Sequence, residues 1–292
     1  MQIDVFFGDV LLGVLSRDAQ GDYMFTYAPA VPAAHALSLN MPTSTTEWKS
    51  RTLFPIFQVS YPEGFLERLL EARLGKDGMQ AAELEMLLAC GQHRIGNLRL
   101  LPHAGTAEAK YLELTDEDAG TETSCLADLE TIPLGKFPGI SGGFPKYLDA
   151  VPDRSAHASA RQWIVKANDA DHPELTILEF FGMEVSRRMG LPTATTVLAQ
   201  DRKRLYVKRF DIADDGTPLQ FEDACSLLGL PARDKYACSI ERVVHIIRSL
   251  AAPEDASRVC SKLFGQYALA SAIRNGDAPV SYTHLRAHET EA

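Results

Sequence analysis

The chain lacks several features that would place it in a specialised class of protein. Its 292 residues contain only 5 cysteines, at positions 90, 125, 225, 238 and 260, and no Cys-x-x-Cys pair. This low, odd count argues against a disulfide scaffold or a zinc site and predicts reduced thiols in a cytoplasm. No run approaches the ~20 apolar residues that span a bilayer, and the start has neither region of a signal peptide. We therefore expect a soluble, cytoplasmic protein with no membrane partner.

Basic charge is also scarce in this sequence. The chain has 29 Lys and Arg against 39 Asp and Glu, which gives a net charge of −10. Such a surface repels a phosphate backbone at long range, so direct nucleic-acid binding by the whole surface is not expected. There is no Gly-x-x-x-x-Gly-Lys-Ser/Thr loop, no Gly-x-Gly-x-x-Gly motif and no internal repeat.

Hydrophobic periodicity predicts two α+β units, which suits a chain of this length. The first covers 1–102, with three short strands in 2–27, helices over 64–74 and 81–89, and a strand over 95–101. Residues 103–135 are acidic and poorly periodic, as in a linker. The second unit has its strands first (147–151, 163–166, 197–198 and 205–207) and its helices mostly afterwards (176–189, 224–228, 240–250 and 256–273). That order favours a two-lobed α+β domain over a doubly wound sheet.

A lysine and a glutamate mark the start of the second unit. Lys166 ends a strand-like run, and Glu179 follows 13 residues later, near the start of an amphipathic helix. That helix carries an apolar stripe along one face, formed by Leu178, Phe181, Val185 and Met189. A strand lysine paired with a helix glutamate is the arrangement by which kinases hold nucleotide phosphates. A surface lysine and a glutamate favoured by the helix dipole is the alternative, and the two residues alone favour it.

A segment rich in glycine and proline precedes that strand. Gly139, Gly142 and Gly143 would let backbone amides approach a phosphate closely. Ser141 also completes a Gly-x-Ser-x-Gly sequence, the nucleophile elbow of serine hydrolases. The elbow needs an apolar strand before it and a helix after it, and the flanking prolines fit neither. A plain surface loop is the third interpretation.

Two further segments carry candidate residues. One predicted strand ends at Lys208, Arg209 and Phe210. This segment could be a hinge whose backbone reads an adenine edge, or it could be an ordinary strand end with one buried ring. Asn275-Gly-Asp277 follows the last predicted helix, where Asn-Gly is a common C-cap. Asp277 would then lie in a loop, where it is available as a base.

Taken in order, these segments resemble the HipA-type toxin kinases, the Ser/Thr kinases of bacterial type II toxin–antitoxin modules. The resemblance covers residues 1 to about 278 and rests on Gly91-Gln-His-Arg-Ile-Gly96, Ile140-Ser-Gly-Gly-Phe-Pro-Lys146, Ile164-Val-Lys166, Val207-Lys-Arg-Phe-Asp211 and Asn275-Gly-Asp277-Ala278. It implies a small N-terminal α+β subdomain over 1–102 and a linker over 103–135. A bilobal kinase-like domain with an incomplete helical C-lobe would follow over 136–278.

The resemblance also implies ATP and Mg²⁺ as cofactors and assigns roles by position. The residues that would bind the nucleotide are Lys166, Glu179, Lys208, Arg209, Phe210, Gly142 and Gly143. Of these, Lys166 would contact the phosphates, the glycine loop would cover them and the hinge would border the adenine. Asp277 would accept the proton of the substrate hydroxyl, and Ser141 is a candidate autophosphorylation site that disables the kinase.

The implied partners are a small helix-turn-helix antitoxin of the HipB type and a protein substrate, for which the family offers aminoacyl-tRNA synthetases. Because that antitoxin binds operator DNA, contact with DNA would be mainly indirect. This agrees with the acidic charge of the chain.

Residues 279–292 depart from the resemblance and look like a foreign or frame-shifted tail. At this point the family has a His, a Lys-Asn whose Asn binds Mg²⁺, and a further Mg²⁺-binding Asp. Since phosphoryl transfer needs that metal, we expect this chain to transfer no phosphate and the kinase activity to belong to the full-length gene product. The alternatives are a non-catalytic module that binds antitoxin or nucleotide, and a serine hydrolase that uses Ser141.

Overall fold

The computed structural model describes residues 1–75, 83–91, 94–103, 139–140, 142, 144–149, 163–275 and 284–286. The chain divides into two compact units, Met1–Tyr147 and Leu148–Ala292. Both units mix helices with sheet, so the α+β class is confirmed. The predicted bounds of the linker and the tail stay predictions.

The first unit is built on an antiparallel sheet of five strands. Its strands are β1 (Gln2–Phe7), β2 (Val10–Arg17), β3 (Tyr23–Tyr27), β4 (Glu47–Ser50) and β5 (Leu98–Pro102), in the order β4-β3-β2-β1-β5. Its helices are α1 (Pro55–Gln58), α2 (Phe65–Leu74) and α3 (Glu83–Ala89). The sequence predicted this unit except for β4 and α1, which are four residues long and too short to show a period.

Alternation and helical period explain how this unit is packed. Ile3 and Val5 point to the same face of β1, two residues apart, and both are fully buried. Helix α3 adds Leu84 and Leu87, one turn apart, to the same core cluster. The core of the first unit therefore lies between one sheet face and this helix.

The second unit combines a four-stranded sheet with helices. Its elements are β6 (Lys146–Asp149), β7 (Trp163–Ala167), α4 (Leu175–Arg188), β8 (Thr196–Leu198), β9 (Arg204–Lys208), β10 (Phe221–Asp223), α5 (Ala224–Leu227), α6 (Ile240–Leu250), α7 (Ala256–Ala272) and β11 (His284–Arg286). The division between the units falls within β6. The sheet order is β6-β7-β9-β8, and β9 runs antiparallel to both β7 and β8.

Helices α5, α6 and α7 share a separate apolar cluster that includes Leu227, Val243, Ile247 and Leu263. Strand β10 pairs antiparallel with β11. The sequence predicted neither of these three-residue strands. Strand β11 lies within residues 279–292, the segment that departs from the family resemblance.

The apolar stripe of α4 faces solvent. Leu178 is 67% exposed, Phe181 is 59% exposed and Met189 is 58% exposed, whereas the buried residues of this helix are Thr176 and Ser186. An amphipathic pattern normally turns its apolar side to the core. Here the helix is where the sequence predicted it, but its two buried side chains are polar and its apolar stripe is exposed.

Among the helices that the structure describes, none combines the length and apolar composition needed to cross a bilayer. The four described cysteines are free thiols, of which Cys90 and Cys225 are buried. Burial raises the pKa of both of these thiols to about 12. They are therefore protonated and poorly nucleophilic at neutral pH, as suits thiols that stay reduced.

The orientation of α4 predicts unequal costs for two identical truncations in the second unit. Leu205→Ala removes a fully buried side chain of β9 and should lower the free energy of unfolding by about 2–5 kcal/mol. Leu178→Ala removes an exposed side chain of α4 and should change it by no more than about 0.5 kcal/mol. The measurement is urea unfolding followed by Trp163 fluorescence, in a Trp48→Phe background that leaves one tryptophan in the chain.

The matched substitution isolates burial, because both variants lose the same atoms. A cost for Leu178→Ala as large as that for Leu205→Ala would contradict the exposed stripe and show that this face is covered in solution.

Candidate functional site

Strand β7 places a lysine among buried neighbours. Val165 is fully buried and Ala167 is buried, whereas the Lys166 side chain keeps 27% of its surface exposed. Lys166 pairs in register with Leu205 of β9. Because side chains alternate along a strand, the lysine points away from the face that holds Val165. Lysines at such positions commonly cover the aliphatic stem and keep the ammonium group near solvent, and part of this side chain is exposed.

Helix α4 brings a carboxylate to that ammonium group. Lys166 Nζ lies 2.7 Å from Glu179 Oε2, and the Glu179 side chain is 24% exposed. This carboxylate oxygen is itself buried and makes no hydrogen bond within the described residues, so the lysine supplies its neutralising charge. The structure thus brings together the two residues that the sequence left as either a pair or two separate surface groups.

The predicted hinge is engaged in contacts of its own. The backbone N–H of Lys208 donates to the Thr195 carbonyl at 2.8 Å, so it is not available to a base while that bond holds. The Phe210 ring packs against the Phe221 ring, with centroids 5.2 Å apart. The side chain of Lys208 is exposed.

Arg209 forms a buried ion pair with Asp211, two residues further along the chain. Arg209 Nε donates to Asp211 Oδ1 at 3.0 Å, and Arg209 Nη2 donates to Asp211 Oδ2. The Asp211 side chain has no exposed surface, and that of Arg209 is 9% exposed. A charge so deeply buried needs a partner of opposite sign, and Arg209 supplies it in a bidentate contact. The guanidinium group that was predicted to border the adenine therefore binds Asp211 of the protein itself.

The glycine segment has two described glycines, Gly139 and Gly142, and both belong to the first unit. Gly142 has a φ of +113°, a backbone conformation that L side chains rarely adopt, so the position favours glycine. Its backbone N–H donates to Glu63 Oε2 at 3.0 Å. The amide that was predicted to cover a phosphate thus binds a carboxylate, which has similar acceptor chemistry. Ser141, Gly143 and Asp277 lie outside the described residues.

Sequence reasoning included Glu63 and Arg94 only as parts of motifs that carry the family resemblance and gave neither a role, because a local pattern does not show a contact with a residue 79 positions away. Arg94 forms a bridge with Gly139 at the start of the glycine segment and donates to the Phe57 carbonyl at 3.1 Å. Burial lowers the pKa of this guanidinium to about 10, which still leaves it charged at neutral pH. The glycine segment is thus flanked in the first unit by two buried cations, Arg94 and Lys146.

Comparison with known proteins covers both units. The family model described as the HipA N-terminal domain matches residues 3–101, and the HipA-like C-terminal domain matches residues 139–286. The second match extends past residue 278, into the segment that departs from the resemblance. No curated protein matches the chain.

Among solved structures, the chain is similar to a chain of the Shewanella oneidensis MR-1 toxin–antitoxin complex of HipA, HipB and operator DNA. The two share 19% sequence identity with a TM-score of 0.64, and the alignment covers 97% of this chain and 72% of that chain. At this identity the likeness shows a common fold.

The buried ion pair of Arg209 predicts a large loss of stability when it is broken. Arg209→Met leaves the Asp211 carboxylate buried without its guanidinium partner, and should lower the free energy of unfolding by about 3–5 kcal/mol. The control is Arg258→Met, which breaks a pair with Asp255 whose arginine is 55% exposed, and should cost less than about 1 kcal/mol. Urea unfolding followed by Trp163 fluorescence measures both variants. Equally small losses would mean that Arg209 is not needed to neutralise Asp211.

Proposed function

Since this chain belongs to the HipA family, we propose that it is the kinase-type toxin of a HipA/HipB module and binds ATP through Lys166. The observation that carries this proposal is the ion pair of Lys166 with Glu179, formed between a sheet strand and the helix that follows it. The activity proposed for such a toxin, where the family's metal ligands are present, is protein serine/threonine phosphorylation.

The geometry of the pair suits a phosphate-binding role. Lys166 Nζ has three N–H donors, and Glu179 Oε2 engages one side of the ammonium group. The part that is exposed is available to an anionic phosphate oxygen, which would form a charge-assisted hydrogen bond. Glu179 meanwhile keeps the long lysine side chain in one place, so less conformational entropy is lost when a nucleotide binds. Two unrelated surface residues would not share this partly buried contact.

The proposal assigns Mg²⁺ only the general role that this ion has in phosphoryl transfer. Mg²⁺ bound to the nucleotide neutralises phosphate charge during transfer. Within the described residues, no group of three or more His, Cys, Asp or Glu side chains is arranged to hold a metal ion. Residues 278–292 contain neither Asn nor Asp. We propose that this chain binds the nucleotide without transferring phosphate, because residues 278–292 lack the Asn and Asp with which the family holds the metal, and that Asp277 would act as the base where those ligands are present.

The proposed partners follow from the family. A HipB-type antitoxin would bind this chain and contact operator DNA itself, which fits the net charge of −10. The protein substrate would carry a Ser or Thr hydroxyl, and aminoacyl-tRNA synthetases are the candidates. Hydrolysis by Ser141 is not proposed, because the segment after it forms strand β6, where the nucleophile elbow needs a helix.

Nucleotide affinity tests the proposed site directly. Lys166→Met removes the ammonium group but keeps most of the stem, and should raise the dissociation constant for ATP about tenfold or more, because a charge-assisted hydrogen bond is lost. The matched control is Lys203→Met in the exposed β8–β9 turn, which should leave affinity unchanged. Isothermal titration calorimetry on the whole chain measures both. Equal affinities for the wild-type chain and Lys166→Met, or no binding to either, would refute the proposal.

Phosphate transfer is tested separately. Incubation of the chain with γ-labelled ATP and Mg²⁺ should label neither the chain nor an added protein above background, since the expected metal ligands are missing from its sequence. Clear label on Ser141, or on any protein, would contradict the proposed inactivity of this chain while leaving nucleotide binding intact.

A further inference from the structure

Helix α4 begins without a cap of its own. Glu174 occupies the N-cap position and makes no side-chain hydrogen bond there. The backbone N–H of Thr176, in the first turn, instead donates to Asn168 Oδ1 at 2.9 Å. An N-cap side chain normally performs this task from the residue next to the helix. Here it is performed from a position directly after strand β7.

Asn168 also ties the helix start to two loops. Its Nδ2 donates to the Pro173 carbonyl at 2.5 Å and lies 3.4 Å from the Arg202 carbonyl in the β8–β9 turn. Thr176 is fully buried, and its hydroxyl donates to the same Arg202 carbonyl at 2.7 Å. One amide side chain therefore joins the end of β7, the start of α4 and the neighbouring hairpin turn.

The contacts of Asn168 lie close to both members of the Lys166–Glu179 pair along the chain. Asn168 follows Lys166 by two residues, and Thr176 precedes Glu179 by three, which places Thr176 and Glu179 on the same side of the helix. Because a helix turns by about 100° per residue, a small rotation of α4 would carry the carboxylate away from the lysine. The bonds of Asn168 oppose that rotation.

The apolar stripe of α4 is exposed, so it does not pack against a sheet. On the other side of the helix Ile177, Phe180 and Met183 are half-buried, whereas the two buried side chains, Thr176 and Ser186, are polar. The second buried anchor is Ser186, which accepts a hydrogen bond from the Thr193 hydroxyl at 2.8 Å near the other end of the helix. Polar contacts at its two ends therefore contribute to the orientation of α4.

We propose that Asn168 is a positioning residue for the phosphate-binding pair: it caps α4 from the end of β7 and thereby holds Glu179 against Lys166. The phosphate-binding role of the pair rests on the proposed function. The positioning of Glu179 by Asn168 does not depend on any ligand. Asn168 acts through Glu179 and contacts no nucleotide.

A double-mutant cycle separates positioning from general stability. The variants are Asn168→Ala, Glu179→Gln and the two combined, and the measured quantity is the dissociation constant for ATP on the whole chain. Asn168→Ala should weaken binding several-fold. The combined variant should bind no more weakly than Glu179→Gln alone, because both changes remove the same contact. Losses that multiply would overturn the proposal.

A stability control excludes the simpler explanation that Asn168 is only a helix cap. Ile247→Val trims the α5–α7 cluster, and should shift the urea midpoint by an amount comparable to that of Asn168→Ala. The cluster contains no residue of β7 or α4, so this variant should leave ATP affinity unchanged. Equal loss of affinity in Ile247→Val would overturn the positioning role.

A second readout uses no nucleotide. Acetylation of the chain by a small N-hydroxysuccinimide ester is followed for each lysine by peptide mass spectrometry, with exposed Lys203 as the internal reference. Release of Lys166 from Glu179 should increase its labelling rate to the same extent in Asn168→Ala and in Glu179→Gln. If labelling rises but no variant binds ATP, the positioning role stands and the proposed function fails. If ATP binding depends on Lys166, yet Asn168→Ala changes neither readout, the positioning role fails alone.

Discussion

The second unit is organised around one electrostatic contact, the ion pair between Lys166 of β7 and Glu179 of α4. The carboxylate oxygen in this contact is buried, so its charge would be costly without the ammonium group beside it. The pair links two elements that are adjacent in the chain and in space. The Lys166 side chain stays partly exposed, and the proposed phosphate-binding role depends on that exposure.

The orientation of α4 follows from this contact and from the polar residues at the helix ends. Turning Glu179 inward turns Phe181 outward, because the two residues lie on nearly opposite sides of the helix, and Leu178 lies about 100° from Glu179 toward the same exposed side. The apolar stripe is thus left exposed, and hydrogen bonds of Thr176 with Asn168 and of Ser186 with Thr193 hold the buried polar side of the helix. Polar contacts fix a helix in one rotation more specifically than an apolar face does, because they are directional.

The sequence predicted the order and class of most elements, because strands such as Gln2–Phe7 and helices such as Phe65–Leu74 carry a clear hydrophobic period. Periodicity failed at α4, where a polar pair decides which side is buried. From the sequence, Lys166 and Glu179 could be either an ion pair or two separate surface residues. A separation of 13 residues does not show whether two side chains meet. Contacts between distant residues, such as Gly142 with Glu63, leave no local signal at all.

The central claim is that the Lys166 ammonium group lies beside the phosphates of bound ATP, and an acyl-phosphate derivative of ATP tests it most directly. In this reaction a lysine amine next to the γ-phosphate attacks the acyl carbon, an amide forms and ATP leaves. The account predicts that peptide mapping finds the acyl group on Lys166 and that excess ATP prevents the labelling. Labelling confined to other lysines, or labelling of Lys166 that excess ATP does not reduce, would contradict it.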